Sequence, residues 1–526
     1  MEEAIIQPAA FDLIVVGTGL LESVIAAAAS SSGKTVLHLD PNPFYGGHFS
    51  SLPLHDLTSF LASQSQFQPS DPRCPSSPQP EGSDHTSVHL ATRPLYSALN
   101  VTSYSAEPLE SRKFNLDLTG PRVFFCADSA VDLMLKSGTS RYMEFKNVDA
   151  SFVFDKNSGG LASVPDSRSA IFKDTSLSYR EKNQLMSVFK LVQGHFEAAG
   201  SADSDGGGRR ISREDLERPF AEFLNRMQLP QKIKSIILYA IAMADYDQDD
   251  LEACKDALKT EDGLDRLALY HSSVGRFPTA LGALLYPLYG QGELPQAFCR
   301  RAAVKGCLYV LRMPVLAILA DKDTGSYKGV KLASGQELFS HRLVLDPSFK
   351  VPLPLANSPP ASLQDSSHVV GLRDVQGKVA RGICITKSSL KPNVSNCLVI
   401  CPPRSLYPEQ VMAIRVLQIG TNLAVCPSGM FVFYLSALCE DAVEGKQLLE
   451  TAISSLFSVP TSGSPEDTSA GQSENTEALK PMLLWGALYI QELTMLFQKM
   501  YPDEEFFPNT ASSDQIEDDS GLDHET

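Results

Sequence analysis

The N-terminal residues follow a strand–helix–strand pattern of apolar and polar positions. Apolar residues fill FDLIVV at 11–16 and VLHL at 36–39, and an alanine-rich stretch lies between them. Short apolar runs that are separated by a glycine-containing turn and a helix-length segment are typical of a β-α-β unit. The pattern therefore predicts a strand, a helix and a second strand over residues 11–40.

The middle of the chain has helical spacing instead. Ser178 and Glu181 form a capping box, which is the signature of a helix start. After it, apolar residues recur at helical intervals at Leu185, Val188, Phe189, Val192 and Phe196. From residue 302 onward short β-type runs return, for example CLYVLRMPV and MFVFYLSA. We therefore predict a mixed α/β domain that is discontinuous in sequence, with a helical domain inserted at 166–272.

Four polar stretches interrupt these patterns. They cover residues 63–93, 200–211 and 458–480 and the acidic tail from 508. Each contains too few apolar residues to offset the entropy lost on ordering. The predicted units are an α/β domain at 1–62, 94–165 and 273–457, a low-complexity insert at 63–93, the helical domain at 166–272, a disordered linker at 458–480, a C-terminal segment at 481–507 and an acidic tail at 508–526.

Composition and charge narrow the class of protein. The chain has 526 residues, 43% hydrophobic and 20% charged, which is ordinary for a globular protein of two or three domains. The formal net charge of −17 argues against nucleic acid and favours basic partners. Ten cysteines without a C-x-x-C motif predict neither a zinc site nor a disulfide framework. Together with the lack of a signal peptide, this favours the cytoplasm, with only transient membrane contact.

The turn after the first predicted strand resembles a dinucleotide-binding turn that has been disabled. Gly17 and Gly19 form the turn, and Asp40 ends the second strand, where such folds bind a ribose. The third glycine of that motif is replaced by Glu22. A carboxylate in the first turn of the helix complements the positive end of the helix dipole and would repel a pyrophosphate. We therefore expect no cofactor, and Asp40 to be a turn residue before Pro41; flavin or nicotinamide binding is the alternative.

Catalytic and metal-binding patterns are missing from the sequence. The ten histidines are dispersed, and neither a G-x-S-x-G motif nor a distinctive pair of carboxylates is present. The sequence therefore predicts a protein with no catalytic residue and no metal.

Three longer blocks resemble the family of Rab escort proteins and Rab GDP-dissociation inhibitors. They are GTGLLESVIAAAASSSGKTVLHLDPNPFYGGHFSSL at 17–52, RKFNLDL with SRYMEFKNV at 112–118 and 140–148, and YPLYGQGELPQAFCRRAAVKG at 286–306. The family's fold resembles that of flavoprotein monooxygenases, an FAD-binding-like α/β domain whose flavin site is unused. The length of the chain, its insert at 63–93 and its acidic extension resemble the escort branch, in a plant-like form.

The resemblance implies an accessory component of Rab geranylgeranyltransferase that is not itself an enzyme. Such a protein binds unprenylated, GDP-bound Rab GTPases, presents them to the catalytic α/β heterodimer and delivers the prenylated product to membranes. Its helical domain receives the geranylgeranyl group. Two alternatives remain, a Rab GDP-dissociation inhibitor that recycles prenylated Rabs and a flavin-dependent oxidoreductase.

The resemblance also implies contact residues for the GTPase. They are Tyr45 in NPFYGG, Glu293 in GELPQ, Arg300 in AFCR and Arg276 in a loop that is longer here than in the family. Glu293 and Arg300 are seven positions apart, so they share a face if the segment is helical. An ordinary surface salt bridge between them is the alternative.

Two further positions concern docking of the transferase. Phe172 matches the phenylalanine that escort proteins offer to it, and we expect Phe172 in a loop before the helix that starts at Ser178. Asn183 stands where the family has an arginine. The alternative is that Phe172 caps the core.

After Thr494 a strand of the family pattern is missing, and we expect an exposed strand edge and lower stability there.

Overall fold

The predicted β-α-β unit is present, and it occupies the centre of a seven-stranded sheet. The computed structural model describes residues 5–65, 84–105, 107–120, 123–165, 168–175, 177–200, 211–250, 254–350, 377–460 and 480–492. The strands are β1 (Ala10–Val16), β2 (Val36–Asp40), β3 (Ser51–Leu52), β4 (His85–His89), β5 (Ala91–Thr92), β6 (Tyr96–Ser103), β7 (Leu116–Asp117), β8 (Phe124–Phe125), β9 (Phe145–Asn147), β10 (Ala150–Asp155), β11 (Gly160–Val164), β12 (Leu284–Pro287), β13 (Leu308–Leu311), β14 (Val315–Asp321), β15 (Tyr327–Leu332), β16 (Glu337–Leu345), β17 (Phe349–Lys350), β18 (Lys378–Thr386), β19 (Cys397–Cys401), β20 (Ile414–Ile419), β21 (Phe431–Cys439) and β22 (Leu483–Glu492).

Helices alternate with these strands. The α-helices are α1 (Leu20–Ser31), α2 (Leu54–Ser65), α3 (Ser129–Ser137), α4 (Arg168–Lys173), α5 (Tyr179–Gly200), α6 (Arg213–Glu217), α7 (Phe220–Arg226), α8 (Gln231–Ser235), α9 (Thr260–Ser273), α10 (Glu293–Val304) and α11 (Ala442–Leu456). A π-helical segment, Ile236–Ile241, continues α8, and short 3-10 turns cover Gly47–Phe49, Ser111–Lys113, Thr139–Tyr142 and Thr421–Leu423.

The seven-stranded sheet has the order β13-β2-β1-β16-β15-β14-β4. Its first four strands are parallel, with Leu13 of β1 opposite Val36 of β2 on one side and Arg342 of β16 on the other. On the other side of β16, strands β15, β14 and β4 follow in antiparallel pairing. The residues of β1 from Leu13 to Val16 are fully buried because both faces of the strand are covered: Leu13 and Val15 belong to one core, and Ile14 and Val16 belong to another.

The second sheet has the order β11-β10-β19-β20-β21-β18-β22-β6 and packs on both faces. Successive side chains of β18 alternate between two apolar cores, as the strand period demands. Ile383 and Ile385 belong to the core that includes the helical region, whereas Cys384 belongs to the core beneath α11. The sheet therefore lies between α11 and the helices that precede β12.

The helical region, α4 to α9, falls between β11 and β12. Its predicted capping box is confirmed, because the Ser178 N–H donates to Glu181 Oε2 at 2.8 Å and the Glu181 N–H donates to Ser178 Oγ at 3.3 Å. The apolar stripe of α5 is buried from Leu185 to Val192, but Phe196 is 38% exposed, so the stripe ends a turn earlier than predicted. These helices share one core with the eight-stranded sheet, and the division into separate domains stays a prediction.

The predicted bounds of the insert, 63 and 93, are both wrong. Helix α2 continues to Ser65, and β4 and β5 are ordered strands despite their polar sequence. The reason is pairing that local composition does not reveal, since β4 pairs along β14 and β5 pairs with β17. The rest of the insert lies outside the described residues, as do 201–210, most of the linker and the acidic tail.

The expectation of a missing strand after Thr494 also lies outside the described residues. Within them, β22 pairs with β18 on one side and with β6 on the other. The edge beside β22 is therefore covered by β6, and most of the β6 side chains are exposed or half-exposed.

We expect Leu185→Ala to lower the free energy of unfolding by about 2–5 kcal/mol, because it leaves a cavity in the shared core. The matched control is Phe196→Ala on the same helix, where the lost ring is partly solvated and the expected loss is less than half as large. Urea unfolding followed by circular dichroism measures both. Equal losses for the two variants would contradict the burial pattern of α5.

Candidate functional site

The turn that resembles a dinucleotide-binding site is occupied by the chain's own groups. The Thr18 N–H and hydroxyl donate to Asp40 Oδ2 at 2.8 and 2.6 Å. The Asn42 N–H and side-chain amide donate to Asp40 Oδ1 at 2.7 and 2.9 Å. Both carboxylate oxygens are therefore engaged within the protein, where Asp40 ends β2 and accepts from the turn that follows it.

Glu22 and the loop at 46–47 fill the space where a phosphate would lie. Glu22 is only 3% exposed, and a β-carbon at Gly19 would lie 2.4 Å from its Oε2. From the other side, a β-carbon at Gly47 would lie 3.7 Å from the Gly19 nitrogen. Gly17 holds the turn with a φ of 95°, which favours glycine. These residues do not fit a pyrophosphate.

The charge that we expected on Glu22 is not what excludes a phosphate. Burial raises the pKa of Glu22 to about 8, and the nearby carboxylates of Asp346 and Asp40 add to the increase. At neutral pH the group is therefore mostly protonated, and the predicted charge repulsion is wrong. Glu22 excludes a phosphate by its volume.

The three sequence blocks that carry the family resemblance meet at the buried carboxylate of Asp117. Its Oδ1 accepts from the Ser51 hydroxyl at 2.5 Å and from the Gln291 N–H at 2.9 Å, and its Oδ2 accepts from the Tyr286 hydroxyl. The Asp117 N–H donates to the Tyr434 hydroxyl at 3.0 Å. Burial raises the pKa of Asp117 to about 6, so the group is still ionised at neutral pH.

This network fixes the start of α10 against the NPFYGGHFSS segment. The Gly292 N–H donates to Ser51 Oγ at 2.7 Å, and Gly290 has a φ of 103°. A β-carbon at Gly292 would lie 2.5 Å from the Ser51 nitrogen, so no larger residue fits there. Sequence reasoning missed Asp117 and Ser51. The available signal was an aspartate set between apolar residues in FNLDL, which is a pattern typical of a buried and satisfied carboxylate.

Tyr45, Glu293 and Arg300 are assembled around α10. The half-buried ring of Tyr45 lies edge-on to Tyr309 of β13, with 5.7 Å between the ring centres. Glu293 is the first residue of α10 and is half-buried, and burial raises its pKa. The exposed guanidinium of Arg300 lies over Tyr142, 4.9 Å from the centre of its ring.

Glu293 and Arg300 do not pair with each other. The segment is helical, as their shared face requires, but neither residue forms an ion pair with another described residue. The alternative of an ordinary salt bridge between them is therefore wrong. Glu293 accepts a 3.5 Å hydrogen bond from the Gln296 side chain, and its other carboxylate oxygen and the Arg300 guanidinium remain able to bind a partner.

Arg276 is tied to its own chain instead. Its guanidinium donates to the Cys126 carbonyl at 2.7 Å and pairs with Asp132 of α3 at 2.5 Å. The tip of its loop carries Leu281, which is 74% exposed. A GTPase contact through Arg276 would require this ion pair to open, whereas Leu281 is already accessible.

Phe172 and Asn183 are both on the surface of the helical region. Phe172 is 59% exposed and lies in α4, so the prediction of a loop is wrong, as is the alternative that it caps the core; its neighbour Ile171 is buried instead. Asn183 is exposed on α5. Lys182, which precedes Asn183, donates from Nζ to the Phe172 carbonyl at 2.9 Å.

Comparison with known proteins identifies the family. The family model described as GDI, GDP dissociation inhibitor, matches residues 3–73 and 79–461. Rab escort protein 1 of Arabidopsis thaliana is 57% identical over 492 residues, which covers 93% of this chain and 87% of that protein. The chain belongs to the family of Rab escort proteins and GDP dissociation inhibitors.

Other members of the family also match most of the chain. The Rab proteins geranylgeranyltransferase component A of Drosophila melanogaster is 30% identical, over 99% of this chain and 94% of that one. A crystal structure of a Rab GDI from Plasmodium falciparum has a TM-score of 0.64 at 20% identity, covering 93% of this chain and 90% of that one. The Rab GDI structure supports the fold alone, and it confirms the predicted FAD-binding-like α/β class. In the part of the chain that the structure describes, no helix is long and apolar enough to cross a membrane.

Ionisation of Glu22 should make this member of the family less stable at alkaline pH. The pKa of its carboxyl is about 8 when folded and 4.5 ordinarily, so the folded chain holds the proton more tightly. This contribution to stability is full below pH 4.5 and is lost as the pH rises through 8. We expect the free energy of unfolding to fall by about 1 kcal/mol between pH 7 and 9 from this group.

The variant Glu22→Gln is uncharged at every pH and should lack that decrease. Urea unfolding at pH 7 and pH 9 measures the decrease in the free energy of unfolding. The control is Glu450→Gln, which changes an exposed glutamate of α11 and should show the same decrease as the unmodified chain. If Glu22→Gln loses as much stability as the unmodified chain, the carboxyl is ionised at neutral pH and our assignment is wrong.

Proposed function

We propose that this chain is a non-catalytic, cytosolic accessory component of a Rab geranylgeranyltransferase. It binds an unprenylated, GDP-bound Rab GTPase, presents it to the catalytic heterodimer and delivers the prenylated product to membranes. The observation that carries the proposal is the 57% identity to Rab escort protein 1 over 93% of this chain. Glu293 and Arg300 on α10 support it, because neither forms an ion pair with another described residue and both offer polar groups to a protein partner.

The surface around α10 is suited to bind without rearrangement. The hydrogen bonds of Ser51 to Asp117 and to the Gly292 N–H hold α10 and the Tyr45 segment together before any partner arrives. Binding to a prepared surface loses less conformational entropy than binding to a loose one. Arg300 offers a planar fork of donors that fits a carboxylate, and Glu293 offers an acceptor.

In this role the chain itself carries out no chemical step. Glu22 and Gly47 occupy the position that a dinucleotide phosphate would take, which supports a role other than flavin-dependent oxidation. The thioether bond to the Rab cysteine would form on the transferase. The geranylgeranyl group would then be held by the helical region, where the π-helical segment Ile236–Ile241 is buried along its whole length.

A recycling inhibitor of prenylated Rabs is the second candidate, and the match to the GDP dissociation inhibitor model favours it. Reconstitution separates the two. An unprenylated Rab, geranylgeranyl diphosphate and the transferase heterodimer are combined with and without the full chain. We expect the chain to stimulate incorporation of the prenyl group at least about tenfold, since it supplies the docked substrate. Extraction of prenylated Rab from membranes without any stimulation would instead identify an inhibitor.

Arg300→Ala should weaken binding of a GDP-loaded Rab by about 2–4 kcal/mol, because an arginine near the centre of an interface often contributes that much. The control is Lys328→Ala, which removes a cation of β15 that pairs with Asp321. Isothermal titration calorimetry measures both affinities. If the Rab affinity of the Arg300 variant equals that of the control, Arg300 does not belong to the contact surface.

A further inference from the structure

A cavity of about 310 Å³ lies on the face of the second sheet that packs against the helical region. It is lined by side chains of β18 to β21, by Val123 and Phe125 at β8, and by Met243 and Asp245, which follow the π-helical segment. Cavities that are mostly apolar and hold a few well-placed polar groups are typical sites for small molecules. This cavity is therefore a candidate ligand site.

Three polar side chains form a row across the part of the cavity that the sheet provides. In the strand order β20-β21-β18, Arg415 lies opposite Ser436, and Ser436 lies opposite Arg381. Side chains that are directly opposite on neighbouring antiparallel strands have their β-carbons about 5 Å apart. The other lining residues of these strands and of β19 are apolar or aromatic, namely Val379, Leu398, Leu417, Tyr434, Ala437 and Leu438.

The charged residues that line the cavity sum to one positive charge. Arg381 and Arg415 are both ionised at any ordinary pH, and Asp245 supplies one negative charge. Arg381 is only 8% exposed and donates from Nε to Gln491 Oε1 at 3.0 Å. A guanidinium presents five N–H donors in one plane, so an anion beside Arg381 adds to its bond with Gln491. The charge of the cavity therefore matches a ligand with one negative group.

The Ser436 hydroxyl is the polar group whose position the packing of the protein does not explain. Arg415 has a structural role, since it donates to Asp245 Oδ1 at 2.5 Å and to the Met243 carbonyl at 2.7 Å. Ser436, which is half-buried between the two arginines, has no hydrogen-bond partner for its hydroxyl in the part of the chain that the structure describes. A hydroxyl can donate to an anion, and its partial exposure leaves the cavity open to a ligand.

We propose that this cavity binds a small oxyanion, either a carboxylate or a phosphate monoester, that is carried on a short apolar body. The oxyanion lies over Ser436 between the two guanidinium groups, whose forks of donors match its oxygens. The apolar body contacts Phe125 and Leu398. At about 30 Å³ for each water-sized group, the cavity holds roughly ten non-hydrogen atoms. The site is formed by other residues than Glu293 and Arg300, so the proposal does not depend on the proposed function.

The test measures the binding of phenylacetate and of phenyl phosphate to the full-length chain by ligand-observed NMR. Phenylacetamide, which has the shape of phenylacetate without its charge, is the control ligand. We expect at least one of the two oxyanions to bind at least about tenfold more tightly than phenylacetamide, because hydrogen bonds to a charged group are the stronger ones. The oxyanion that binds more tightly shows whether the site is built for a carboxylate or for a phosphate.

Two variants place the ligand in this cavity. Ser436→Ala should weaken binding of the tighter oxyanion about three- to tenfold and leave thermal unfolding unchanged, because the lost hydroxyl binds nothing else among the described residues. Arg381→Met keeps the apolar stem of the side chain and should weaken binding at least about tenfold. Arg213→Met is the control: it removes an arginine of α6 whose side chain is 93% exposed, and it should bind like the unmodified chain.

Three results would overturn the proposal. The first is equal affinity for the two oxyanions and for phenylacetamide, which would mean that the row of polar residues serves only the packing of the sheet. The second is a Kd above about 1 mM for both oxyanions, since a tighter value is within reach of a ligand of this size. The third is binding that stays the same in Ser436→Ala and Arg381→Met, which would place the probe elsewhere on the protein.

Discussion

The buried carboxylate of Asp117 is the contact on which the candidate surface depends. It joins residues that are far apart in sequence, Ser51, Tyr286 and Gln291, and its own backbone N–H reaches Tyr434 of the second sheet. An ionised acceptor inside the protein is stable only when donors surround it, and here three donors do so. The positions of the Tyr45 segment and of α10 therefore depend on the hydrogen bonds of the Asp117 carboxylate.

The fold keeps the frame of a dinucleotide-binding protein and uses its crevice for packing. Asp40 binds Thr18 and Asn42 instead of a ribose, and Glu22 lies where a phosphate would lie. The crystal structure of a Rab GDI from Plasmodium falciparum shares this fold, with a TM-score of 0.64. The loop at 46–47 that fills this crevice adjoins Tyr45, so filling the crevice and positioning the Tyr45 ring are two results of the same loop.

Local patterns in the sequence predicted the local structure well. The β-α-β unit, the capping box of α5 and the disabled turn are all properties of short segments, and the structure contains them. Long-range pairing was not predictable in this way: β4 is ordered because of β14, and Asp117 is buried because of residues more than a hundred positions away. The protonation of Glu22 was missed for the same reason, since it depends on burial and on Asp346.

The topology of the seven-stranded sheet has a consequence for how the chain is made. Strand β1 pairs with β16, so Ala10 must find Phe339, which is synthesised 329 residues later. At a translation rate of roughly 5–20 residues per second, β1 waits about 16–66 seconds for that neighbour. During this time α1 and β2 are the first elements able to cover it. Nascent chains of this protein should therefore be long-lived clients of ribosome-associated chaperones.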